Sequence, residues 1–164
     1  MQSHARLLGH PLHQMLIVFP LGLLGTSVLF DLVALGMDSA VAAVVAYWML
    51  AAGIVGALAA APFGFIDWLH LPAGTRARRI GALHGSGNLL VTVLFAASWL
   101  LRSGDGTVPQ LALALSIAGV LLALVTAWLG GELVSRLGVG VYDDAGVNAP
   151  SSLRREARRS RTTA

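Results

Sequence analysis

Residues 15–35 read MLIVFPLGLLGTSVLFDLVAL, and this run decides the fold. Asp31 is its only charged residue. A helix needs about 20 apolar residues to cross ~30 Å of hydrocarbon at about 1.5 Å per residue. Met15–Leu35 meets that length and exceeds the ~7–15 apolar residues typical of a secretory signal peptide. The run therefore predicts a transmembrane helix.

Three further apolar runs follow the first: Ala40–Ile66, Ile80–Leu101 and Leu111–Val134. Hydrophobic residues make up 56% of the chain and charged residues 12%, whereas a soluble domain carries about 25% charged residues. Short loops make consecutive helices antiparallel neighbours. The sequence therefore predicts an all-α protein, an integral membrane four-helix up-and-down bundle over residues 1–142, which contacts the lipid bilayer. No internal repeat stands out.

The basic residues are all arginines, and ten of the eleven lie on one side of the predicted bundle, with only Arg102 on the other. Positive charge is retained on the cytoplasmic side, so we expect a multi-pass protein of a bacterial inner membrane with both termini in the cytoplasm. Residues 143–164 are polar and arginine-rich, which predicts a disordered cytoplasmic tail near anionic lipid. No nucleic-acid partner is expected, because no aromatic or folded module accompanies the charge.

Several classes of catalytic site are not indicated. The chain contains no cysteine, which excludes disulfides, thiolate catalysis and cysteine-ligated clusters. No serine lies in a nucleophile-elbow motif, and no glycine-rich loop has the phosphate-binding pattern. The sequence alone therefore names no substrate.

Polar residues concentrate where the predicted helices end on the arginine-rich side. Two pairs have helical spacing, since His84 and Asn88 share one helix face and Glu132 and Arg136 can pair across one turn. If Pro11 lies in a first helical turn, the rings of His10 and His13 point to similar faces. The cluster comprises His10, His13, Asp67, His84, Asn88, Glu132 and Arg136.

Asp31 belongs to the opposite end of the first helix. It lies eighteen residues after His13, which is about 27 Å along a helix. A carboxylate near the membrane is a functional candidate. Near a helix end such a group is more often hydrated, and we expect this for Asp31.

Three interpretations of the polar cluster remain open. In the first, the residues only cap helix ends and bond one another, and no cofactor is bound. In the second, His84 and either His13 or His10 ligate the iron of haem b, while Arg136 or Arg79 pairs with the propionates. In the third, a zinc or iron ion is bound by a mixed set of imidazoles and carboxylates, as in a metal-dependent membrane enzyme. That set comprises His10, His13, His84, Asp67 and Glu132.

The motif Gly9-His10-Pro11-Leu12-His13, followed by Phe19-Pro20-Leu21-Gly22, resembles the domain-of-unknown-function 2231 family of bacterial membrane proteins. The resemblance covers about residues 9–141 and continues through GFIDW at 64–68, His84 with Asn88, WLGGELV at 128–134 and GVGV at 138–141. The family often has proline where Gln14 stands, and a basic residue or histidine where Leu137 stands. The resemblance implies a four-helix membrane fold rather than an activity. Members that look to be joined to Rieske-type iron–sulfur domains imply an association with electron transfer.

The leading functional hypothesis is a haem-binding, redox-associated membrane module with a membrane redox partner. In this hypothesis His13 and His84 ligate the iron, and His10 is an alternative ligand. The alternatives are a structural or interaction protein without a cofactor, and the metal-dependent membrane enzyme.

Overall fold

The computed structural model describes residues 1–153, so the rest of the predicted tail, residues 154–164, lies outside the described residues. The first two strands form a short antiparallel hairpin in which Leu7 lies opposite His10. In chain order the elements are β1 (Arg6–Leu7), β2 (His10–Pro11), α1 (Leu12–Leu16), α2 (Val18–Gly36), α3 (Ala40–Leu69), α4 (Arg76–Leu100), α5 (Gln110–Gly131) and a π-helix (Glu132–Arg136).

Four helical stretches are long and apolar enough to cross a membrane: Leu12–Gly36, Ala40–Leu69, Arg76–Leu100 and Gln110–Arg136. Large apolar side chains cover their outward surface, and Phe19, Val55 and Leu121 are all exposed. Soluble monomers rarely expose contiguous apolar surface on this scale, whereas lipid solvates it. The predicted all-α, membrane-spanning four-helix bundle is confirmed.

Close helix contacts at glycines build the core. A Cβ atom on Gly53 of α3 would lie 2.6 Å from the side chain of Leu24, and one on Gly119 of α5 would lie 2.9 Å from Phe95. Both glycines therefore admit a large side chain from the neighbouring helix, as small residues do in membrane bundles. The central apolar cluster comprises Leu24, Val28, Leu50, Val91 and Phe95.

The loop between α3 and α4 is shorter than the sequence predicts. α3 continues through Pro62 to Leu69, three residues beyond the apolar run that ends at Ile66. Proline removes only one helical donor, and neighbouring helices in a membrane bundle compensate for it. α4 begins at Arg76 rather than Ile80, because the hydroxyl of Thr75 caps its first turn by accepting from the Arg78 amide at 3.2 Å.

The last membrane helix ends in a π-turn. The Leu137 amide donates to the Glu132 carbonyl, 3.0 Å away, and this five-residue spacing changes which side chains stack. The predicted pair of Glu132 with Arg136 is therefore wrong. Glu132 instead pairs with Arg76 of α4, with 2.7 Å between Oε2 and Nη2.

The N-terminal hairpin and the last described residues, up to 153, meet at one end of the bundle. We call this the histidine end, because His13, Asp67 and the start of α4 lie there, and we call the opposite end, with Asp31 and Arg102, the far end. The Tyr142 hydroxyl donates to the Gly9 carbonyl at 2.6 Å, and Ser152 Oγ donates to the Leu8 carbonyl at 3.2 Å. The described start of the predicted tail thus contacts the N-terminal hairpin.

Candidate functional site

The His13 ring is held against α3. Its Nδ1 lies 3.0 Å from the Ala60 carbonyl oxygen. A Cβ atom on Gly64, one turn further along α3, would lie 2.8 Å from the ring. The absence of a side chain at Gly64 therefore makes the space that the imidazole occupies.

The His84 ring is held against α5 in the same manner. Its Nδ1 lies 2.8 Å from the Thr126 carbonyl oxygen. A Cβ atom on Gly130, one turn further along α5, would lie 3.0 Å from the ring. At Gly64 and Gly130, the space left by the missing side chain is therefore occupied by an imidazole.

The two imidazoles face each other between the first and third membrane helices. Their centroids lie 6.3 Å apart and their planes are nearly perpendicular, at 89°. Because a carbonyl oxygen only accepts, each Nδ1 must carry the proton that it shares with its carbonyl. In the neutral ring the lone pair is then on Nε2, the nitrogen that can accept a hydrogen bond or a proton, or bind a metal.

Asn88 and Thr126 complete the surroundings of His84. The Thr126 hydroxyl donates to Asn88 Oδ1 at 3.0 Å, which directs the Asn88 amide nitrogen toward His84. That nitrogen lies 3.2 Å from His84 Nε2 and donates to the His84 carbonyl at 2.9 Å. The predicted pairing of His84 with Asn88 on one face is confirmed. Thr126 was not predicted from the sequence, because it belongs to no recognisable motif.

The other predicted ligands lie apart from the two rings. Within residues 1–153, no group of three or more histidine or acidic side chains is placed to hold a metal ion. Pro11 precedes α1 instead of starting it, so His10 lies in β2 and its Nε2 is 3.5 Å from Ser152 Oγ. The structure therefore does not assemble the predicted set of His10, His13, His84, Asp67 and Glu132.

Asp67 anchors the N-terminal segment. Its Oδ1 accepts from the backbone amides of His4 at 2.7 Å and Ala5 at 3.2 Å. The Ser3 hydroxyl lies 2.8 and 2.7 Å from the two carboxylate oxygens. Three donors therefore satisfy the carboxylate, which fastens residues 3–5 onto the end of α3.

The arginines predicted to meet haem propionates are available at the histidine end. Arg79 and Arg136 are both exposed, and neither forms an ion pair within residues 1–153. Arg78, which directly precedes Arg79, already has its own partners. It donates to the carbonyls of Leu69 and Leu71 and lies 4.7 Å from the Trp68 ring centroid.

The far end holds a buried ion pair. Arg102 Nη1 and Nη2 donate to the two Asp31 oxygens at 2.6 and 2.7 Å, and the two side chains are 1% and 0% exposed. The expectation that Asp31 is hydrated is wrong, because α4 brings the guanidinium directly to it. A charged group inside a membrane bundle usually has a partner, so the lone arginine of the far side was the signal that could have revealed this pair.

Comparison with known proteins identifies the family. No curated protein and no solved structure gives a match. A family model described as predicted membrane protein (DUF2231) matches residues 9–143. That range contains both histidines of the central pair, the Asp31–Arg102 pair and all four membrane helices. The chain therefore belongs to the DUF2231 family of predicted membrane proteins.

Proposed function

We propose that this membrane protein binds a transition-metal centre between His13 and His84, and that the centre is the iron of haem b or a single zinc or iron ion. The observation that carries the proposal is that both rings make the same hydrogen bond at Nδ1. Each donates its Nδ1 proton to a backbone carbonyl, which leaves Nε2 as the ligating nitrogen. A hydrogen bond at the other ring nitrogen is the usual support of a metal-bound histidine.

The separation of the rings supports a shared centre. His13 and His84 would both hold the centre, since their ring centroids lie 6.3 Å apart and bonds from a metal to imidazole nitrogen are about 2.0–2.1 Å long. Binding would replace the contact between Asn88 and His84 Nε2.

If the centre is haem, His13 and His84 would hold its iron and the group would supply one-electron chemistry, which supports a role in electron transfer. Arg79 and Arg136, which are exposed at the same end and outside any ion pair of residues 1–153, suit the two propionates. A membrane redox partner docking at the histidine end would exchange the electron.

The test is an absorption spectrum of the detergent-purified protein, followed by metal analysis. A Soret band supports haem, and one equivalent of zinc or iron without that band supports an ion. His13→Ala and His84→Ala should each remove most of the bound centre while the protein still inserts, because insertion depends on apolar length. His70→Ala is the matched control, since the His70 ring also bonds a backbone carbonyl, at 2.8 Å, but is exposed.

A structural role is the second candidate, and the complete bonding of the cluster favours it. The side chains of His84, Asn88 and Thr126 satisfy one another within the chain. In that case His84→Ala and Asn88→Ala should behave alike, each losing about 0.6 kcal/mol per membrane hydrogen bond. Equal effects together with a purified protein that holds no metal or haem would remove the metal-centre proposal.

We also propose an orientation in the bacterial inner membrane, with the histidine end in the cytoplasm. The arginines flanking the helices, Arg6, Arg76, Arg78, Arg79 and Arg136, support it under the positive-inside rule. A reporter fused after Ala164 should be active in the cytoplasm, and one inserted after Asp105 should be active in the periplasm. Opposite results at both positions would reverse the proposed orientation.

A further inference from the structure

We propose that the helical bundle consists of two copies of one helical hairpin, residues 12–69 and 83–135, which face each other across a two-fold axis parallel to the helices. The first helix of each copy runs away from the histidine end and the second returns to it. Repeats of this parallel kind are known in membrane transport proteins. In this bundle, the same contacts recur at matched positions of the two hairpins.

The residue numbers of the two copies correspond through constant shifts. Adding 71 carries the first helix of one copy onto that of the other, and residue types recur at Leu12, His13, Leu23, Ser27 and Leu29. Adding 66 carries the second helix onto its counterpart. Residue types recur there at Ala46, Ala52, Gly53, Ala57, Leu58, Ala61 and Gly64.

The same shifts relate the histidine contacts. His13 bonds the carbonyl of Ala60 and packs on Gly64. The shifted positions are His84, Thr126 and Gly130, and these make the same two contacts. One hairpin therefore repeats two contacts of the other: the bond from the histidine ring to a backbone carbonyl, and the packing of that ring on a glycine.

A second set of contacts recurs at the middle of the bundle. Leu24 packs on Gly53, and the shifts carry these residues to Phe95 and Gly119, which also pack together. The hydrophobic periodicity of any two helices can be aligned by some shift. It does not make one pair of shifts reproduce three specific contacts, so a true repeat is the better explanation.

Residues beside a two-fold axis contact their own counterparts. His13 and His84 are counterparts and lie face to face. Asp31 and Arg102 are also counterparts under the same shift, and they form the buried ion pair. A fully buried serine lies four residues before each of them: Ser27 before Asp31, and Ser98 before Arg102. The axis therefore runs through both polar pairs, one at each end of the bundle.

The two axial pairs have different chemistry and different roles. At the far end the counterparts are opposite charges, which attract each other, whereas two identical hairpins would place like charges together. The ion pair therefore favours docking between the two different hairpins over docking between two identical ones. At the histidine end the counterparts are identical. Resting on the proposed function, we infer that His13 and His84 would hold the metal centre in equivalent roles, one from each half.

A charge exchange at the far end tests the repeat in the full chain. Asp31→Arg and Arg102→Asp each place like charges on the axis, so each should lower the thermal midpoint strongly. The double variant should recover more than half of that loss, because the positions are equivalent. The matched control is the exposed pair Arg76 and Glu132, where single reversals should shift the midpoint little. A double variant no more stable than the worse single variant would overturn the equivalence.

An exchange of core residues provides an independent measurement. Leu24→Phe overfills the space above Gly53, and Phe95→Leu leaves a gap above Gly119, so both single variants should melt earlier. The double variant should melt closer to the parent than the sum of the two shifts. Additive shifts would count against the repeat. Neither exchange touches the histidines, so a protein that binds no metal centre would defeat the proposed function and leave the repeat standing.

Discussion

Removing Arg102 alone should be far more damaging than removing Arg102 and Asp31 together. In Arg102→Met, the Asp31 carboxylate stays in an environment where its side chain is 0% exposed. Removing one partner of a buried pair costs about 3–5 kcal/mol, which lowers the ratio of folded to unfolded protein by about 10²–10⁴-fold. In Asp31→Leu/Arg102→Met no charge is buried, and such replacements are neutral or stabilising by about 1–4 kcal/mol.

The measurement is equilibrium unfolding in mixed detergent micelles, followed by circular dichroism. Arg76→Met is the matched control. It removes an equally short ion pair at 2.7 Å, but the Arg76 side chain is 52% exposed, and exposed pairs contribute about 0–1 kcal/mol. If Arg102→Met lost no more stability than Arg76→Met, burial would not control the strength of the far-end pair, and the reasoning would be refuted.

Three further predictions concern the packing of the His13 ring on Gly64, the contacts of Asp67 with the N-terminal segment, and the loop between α4 and α5. Gly64→Ala should lower the free energy of unfolding by about 1–3 kcal/mol in the same assay, because its Cβ would overlap the His13 ring. Gly25→Ala is the control and should lose nothing, since no atom lies within 4 Å of its Cβ position. Equal losses would contradict the packing argument. Asp67→Ala should speed hydrogen exchange at the amides of His4 and Ala5, which the carboxylate holds; unchanged exchange would mean that other contacts anchor the segment. Hydrogen bonds from the Thr107 hydroxyl and amide hold the pKa of Asp105 below its ordinary value, so their contribution is complete above the ordinary aspartate pKa and is lost as the pH falls through the lowered one. Thr107→Val should raise the pKa of Asp105, as followed by carboxyl NMR, and a pKa that does not move would exclude the hydroxyl as the main cause.

Apolar length predicts the membrane fold because one property, the thickness of the hydrocarbon, dominates it. The helix ends are harder to predict, since local bonds decide them. Thr75 extends α4 to Arg76, and compensation by neighbouring helices lets α3 pass Pro62. Neither effect is visible in hydropathy.

The candidate site is predictable only in part. His13 and His84 meet because antiparallel helices bring their ends together, and that follows from topology. Their bonds to Ala60 and Thr126 depend on how close α3 and α5 approach at Gly64 and Gly130. The lone arginine of the far side indicates a partner for Asp31, but the direct contact depends on which helices face each other.

The burial of Arg102 gives the bundle an electrical polarity. Since Asp31 neutralises that guanidinium, the charged groups of the far end that meet water are the aspartates Asp38 and Asp105, while exposed arginines gather at the histidine end. A potential that is negative inside attracts the arginine-bearing end inward and the aspartates outward, with about 2.3 kcal/mol for each charge that crosses 100 mV. An unpaired Arg102 would oppose that alignment, so the buried pair also removes a positive charge of the far end that would work against the membrane voltage.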